Sequence, residues 1–152
     1  MAKDLYTTNR FTSSFWFVFF IPIGMIVAFY LYDFGSKVYF QNMLDKDTKV
    51  IFTEMMDREG LDTNEEKKDF IESEFKEKKY ELSDLNLIYQ DDGSVIVVAY
   101  RKYMSIVGTL SGGLLRSKNR MVSSSYIGHY NEYKETVVEE YNEVIDEDLI
   151  AE

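Results

Sequence analysis

One histidine, His129, and no cysteine set narrow limits on the chemistry this chain can perform. A zinc centre built from nitrogen and sulfur ligands needs several such side chains, so a single chain cannot assemble one. Disulfides and thiolate nucleophiles are excluded as well. A serine nucleophile needs a base within hydrogen-bond reach. Ser117, Ser123, Ser124 and Ser125 have only His129 nearby, and in the strand expected there Ser125 and His129 stand about 13 Å apart, at a rise of about 3.3 Å per residue. Asp91-Asp92-Gly93 lacks the ligand spacing and terminal glutamate of a calcium loop. Ser111-Gly112-Gly113 lacks the lysine and the strand-to-helix setting of a phosphate-binding loop. Carboxylate pairs are numerous because the chain holds 27 acidic residues, and they mark solvated faces. These residues predict a protein that is not an enzyme, with no catalytic residues, no cofactor and no metal.

The elements that would position any site begin with an apolar run. From Phe11 to Tyr32 there are 22 residues without a charge, and as a helix rising about 1.5 Å per residue they cover the roughly 30 Å hydrocarbon core of a bilayer. A cleaved secretory signal has a shorter apolar stretch of about 7 to 15 residues and a small-residue cleavage site, and neither is present. Residues 11–32 are therefore expected to be a retained transmembrane helix behind a short head, residues 1–10. Trp16 lies near its start and Tyr30 and Tyr32 at its far end, where amphipathic rings favour the headgroup level. Pro22, the only proline, removes one backbone donor inside it. Gly24 and Ala28 form a small-xxx-small pair suited to close helix approach in lipid. Lys3 and Arg10 flank one end and Lys37, Lys46 and Lys49 the other. The ten-residue head is expected inside and the long polar part outside, giving a single-pass cell-membrane protein with an extracytoplasmic C-terminal domain.

Beyond the anchor, Phe40, Met43, Leu44, Ile51 and Met55 recur at steps consistent with one helix face, so the helix is expected to continue, with Gly35-Ser36 allowing a bend, to a stop between Asp57 and Gly60. Thr63 and Glu66 have the spacing of a capping box and open a second helix, Glu65 to about Lys79, that buries Phe70, Ile71 and Phe75. From Leu85 the period becomes two. Asp92-Gly93 suits a two-residue type I′ turn before a return strand, Val95 to Tyr100. Gly108, Gly112 and Gly113 mark a loop or short helical turn, and Met121 to Tyr130 a third strand. The acidic tail, residues 131–152, has Val137, Val138, Tyr141, Val144 and Ile145 at roughly helical steps and is expected to be a fraying helix or a disordered terminus. The fold class is α+β: a transmembrane helix running into an amphipathic one, a second helix, and an antiparallel sheet of about three strands in one domain, residues 33–130. A net charge of −10 disfavours nucleic acid as a partner, and likewise a tightly bound anionic membrane surface.

Phe19-Phe20-Ile21-Pro22-Ile23-Gly24, Tyr32-Asp33-Phe34-Gly35 and Val38-Tyr39-Phe40-Gln41-Asn42 resemble the TadE-like minor pilins of bacterial tight-adherence pilus systems. The later layout is similar too, with a valine-rich strand at Val95–Val98, aromatics at Tyr100 and Tyr103, a connection bearing Leu110, Leu114 and Leu115, and a strand at Arg120-Met121-Val122. The resemblance spans about residues 12 to 130. It makes Trp16, Pro22, Gly24, Ala28, Tyr32, Asp33 and Gly35 the anchor and family-like motif. It implies a pseudopilin that assists assembly of a pilus or related secretion system and meets other pilin-like subunits through its N-terminal helix. The alternative is a single-pass accessory subunit or binding module of another membrane complex. The positions corresponding to the prepilin glycine and glutamate are about Phe11 and Trp16, which implies a member not cut by the prepilin peptidase or a relative that no longer enters the pilus fibre.

Overall fold

The computed structural model describes residues 4–79, 81–131, 133 and 135–141, with side chains described from Trp16 onward. Its first element, α1, is one helix from Asp4 to Asp57. It continues through Pro22 and through Gly35-Ser36. A Cβ at Gly35 would meet nothing within 4 Å, so that glycine does not serve a close approach. The helix stops at the expected place, and Gly60 adopts φ +90 in the turn beyond it. The chain divides into two compact units, residues 1–38 with 104–120 and residues 39–103 with 121–152.

In the second unit, α1 presents Leu44, Thr48, Ile51, Phe52, Met55 and Met56 as a buried stripe. The helix α2, Asn64–Glu77, opens with the capping box read from the sequence: Glu66 N donates to Thr63 Oγ1 at 3.2 Å, and Thr63 N donates to Glu66 Oε2 at 2.9 Å. Ile71 and Phe75 of α2 are buried, whereas Phe70 is half-buried beneath the Arg58 guanidinium. Both helices pack with Leu85, Val95, Val97, Ala99, Tyr103, Val122 and Tyr126 of a sheet in a single apolar core.

That sheet has four strands in the order β1 (Asp84–Tyr89), β2 (Val95–Met104), β3 (Asn119–Tyr130), β4 (Thr136–Glu140). β1 pairs antiparallel with β2, and β3 antiparallel with β4. Val95–Tyr100 is buried on both faces, its second face holding Ile96, Val98 and Tyr100 against Ile127 and Tyr141. At Gly128 a Cβ would lie 2.9 Å from the Phe52 ring, so this glycine lets α1 close on the sheet.

Two expectations are corrected. The hairpin is where Asp-Gly placed it, but its turn is not type I′. Tyr89 pairs with Val95, Gln90 N donates to Ser94 O, and Gly93 N donates to Gln90 O, which leaves a three-residue loop with only Gly93, at φ +83, in the left-handed region. Asp92 stays at negative φ because its carboxylate accepts from Ser94 N at 2.9 Å and Ser94 Oγ at 2.6 Å, a local arrangement that type I′ geometry would break. The second correction concerns the acidic tail, whose residues Thr136–Glu140 form a strand, making four strands where about three were expected. The β-branched Thr136, Val137 and Val138 gain backbone partners on β3, with Val138 opposite Gly128, and Tyr141 N donates to Ser125 O at 3.0 Å. The tail beyond Tyr141, with Val144 and Ile145, lies outside the described residues, as does the head before Asp4.

Candidate functional site

In the first unit, α1 is exposed and apolar: Trp16 is 60 %, Val18 67 % and Val27 51 % accessible. It is long and apolar enough to cross a membrane. Of the motif residues, Trp16 stacks on Phe20 with ring centroids 5.3 Å apart. Pro22, Gly24, Ala28, Tyr32 and Gly35 are all exposed, and Cβ atoms at Gly24 and Gly35 would meet nothing.

Asp33 is the exception. It is the first charged residue after the apolar run, and it is 2 % accessible. Its carboxylate is consumed by the segment between β2 and β3. Oδ2 accepts from the Ser105 hydroxyl and from Val107 N at 3.3 Å, Oδ1 accepts from Ile106 N at 2.7 Å, and Arg116 Nη1 lies 3.7 Å from Oδ2. Burial alone would raise its pKa. The bonds from Ser105, Ile106 and Val107, with the Arg116 charge, outweigh that and hold the carboxyl below its ordinary value.

The segment that meets Asp33 is built to receive it. Ser105 caps the short helix α3, Ile106–Leu110, its Oγ accepting from Gly108 N at 2.9 Å, so Asp33 and Ser105 together satisfy the first three free N–H groups of α3. At the other end, Gly113 N donates to Gly108 O and Gly112 N to Thr109 O, a Schellman closure with Gly112 at φ +64. Gly108 cannot carry a side chain, since a Cβ there would stand 2.7 Å from the Ser117 carbonyl carbon and 2.8 Å from Arg116 O. Sequence reading placed Asp33 in the motif but assigned it no partner. Ser105 and Arg116, 72 and 83 residues away, carried no local signal linking them to it.

The other candidates stay apart. Ser125 and His129 both lie on β3, four residues apart. Asp91-Asp92-Gly93 is occupied in its turn. Among the described residues no group of three or more His, Asp or Glu side chains is gathered as for a metal ion. What the Asp33 arrangement can do is mechanical: it fastens residues 105–107 to the helix at the end of its apolar run. Comparison with protein-family models, with characterised proteins and with solved structures finds no match.

Proposed function

We propose that this chain is a single-pass membrane protein anchored by residues 11–32 and, within that class, a TadE-like minor pilin or pseudopilin that assists assembly of a tight-adherence pilus or a related secretion system. The observation that supports it best is α1 itself. One helix is apolar and exposed from Trp16 to Tyr32 and then, without interruption, supplies the core stripe of a small α+β unit from Leu44 to Met56. A helix apolar on all sides and left uncovered suits a lipid environment, and in lipid it can pack against like helices. The motif residues Phe19–Gly24 and Tyr32–Gly35 agree with this reading, with Asp33 acting as a fastener rather than as a charge offered to solvent.

The test is capture of the tagged full-length protein from native membranes, with mass spectrometry of its partners and of its own amino terminus. Pilin-like proteins with a secretion ATPase platform, and an uncut terminus, are the expected result. Recovery of an unrelated membrane complex overturns the pilin assignment and leaves an anchored accessory subunit.

A further inference from the structure

The acidic character of this chain is confined to one unit. Residues 1–38 with 104–120 hold six basic and two acidic residues, while the rest of the chain holds eleven basic and twenty-five acidic. From Gly93 to Asn131 there is no carboxylate side chain at all. Within the first unit, Arg116, Lys118 and Arg120 follow α3, and Lys37 stands one helical turn beyond Asp33.

The same segment exposes large apolar side chains. Met104 is 69 %, Leu110 66 %, Leu114 88 % and Leu115 62 % accessible. They are held there by structure: α3 is closed at both ends, Gly112 and Gly113 turn the chain with positive φ, and Leu115 N donates to Ser111 Oγ. A segment fixed in this way, with apolar tips and basic neighbours, has the composition of an interfacial membrane contact. Its position agrees, because Asp33, the residue that binds it, directly follows the apolar run.

We propose that Met104–Arg120 is a second membrane contact, in which Leu110, Leu114 and Leu115 enter the headgroup boundary and Lys37 and Lys118 engage phosphates of anionic phospholipid. This rests on the reading of residues 11–32 as an anchor. The occupant is lipid rather than an acidic protein surface because the leucines need an apolar medium beside the anionic groups, and the end of the apolar run supplies both at one level. Arg116 and Asp33 also explain why the segment is fastened: the contact has to stay at the depth the anchor fixes.

The absence of native cysteine allows a clean test. The full-length chain carrying Leu114→Cys, Ile23→Cys or Asp91→Cys is labelled with an environment-sensitive fluorophore. Each labelled protein is then placed in nanodiscs of phosphatidylcholine with or without phosphatidylglycerol, some bearing a lipid quencher near the headgroup end of the acyl chain. The Leu114 site should emit blue-shifted light and be quenched by the lipid label, with quenching reduced by about a factor of two or more when phosphatidylglycerol is omitted. The Ile23 site should be in lipid whatever the composition, and the Asp91 site in water. A Leu114 site as wet as Asp91, with Ile23 in lipid, overturns the second contact and leaves the anchor intact. An Ile23 site in water overturns the anchor and this proposal with it. Blue-shifted emission at Leu114 without lipid quenching assigns the leucines to a protein surface, and equal quenching in both lipid mixtures removes the anionic requirement; either result overturns the proposal.

Discussion

A buried carboxylate that accepts three hydrogen bonds and faces an arginine is worth more to a fold than an exposed one, because the donors it satisfies would otherwise be left unpaired away from water. For Asp33 those donors are Ser105 Oγ, Ile106 N and Val107 N. Asp33→Asn keeps the shape but removes the charge and half the acceptor capacity. Hydrogen exchange at Ile106 and Val107 should then accelerate by about tenfold or more, in line with the roughly 1.5–3 kcal/mol of a charged hydrogen bond. Because the folded-state pKa lies below the ordinary value of 3.8, the folded protein binds fewer protons there than the unfolded chain. The stabilisation is therefore fully present above that value and is lost as pH falls through the folded pKa. Exchange at the same two amides in the wild type should rise in that acid range, and it should not rise further in Asp33→Asn. Gly128→Ala tests the opposite kind of constraint: its Cβ meets the Phe52 ring, and overpacking should cost about 1–3 kcal/mol in chemical denaturation.

Among the elements, the capping box of α2 and the stop of α1 were local matters, settled by side chains three residues apart and by a glycine at the right place. The β1–β2 hairpin was legible, but its turn type depended on what the Asp92 carboxylate does, and a dipeptide does not show that. Gly93→Ala should destabilise the domain by about 1–2 kcal/mol, since φ +83 places a Cβ against the following carbonyl. A denaturation midpoint shifted by that amount with an unchanged slope is the expected readout. β4 was not legible. Thr136–Glu140 has no register of its own, and only the open edge of β3 makes it a strand.

For the whole molecule, the separation of charge bears on orientation. The rule that places positive charge inside counts residues close to the span in sequence. Lys3 and Arg10 on one side of the span and Lys37, Lys46 and Lys49 on the other nearly cancel under it, so the proposed orientation, amino terminus inside, rests on the shortness of the head. The basic residues of Met104–Arg120 lie far along the chain, where they count little during insertion, although the fold returns them to the end of the apolar run through Asp33. A membrane-impermeant maleimide should therefore label Asp91→Cys in intact spheroplasts. Labelling only after lysis would reverse the proposed orientation.

The sequence by itself determined the apolar run, the long helix, the capped second helix and the hairpin. Each of these is written in residue type and short-range spacing, which the 3.6 and 2 periods and the cap geometries translate directly. The tertiary structure decided the partner of Asp33, the fourth strand, the need for Gly128 and the gathering of basic and leucine residues around α3. These depend on contacts between separate segments of the chain, and spacing along it carries no record of which distant donor a buried carboxylate will find.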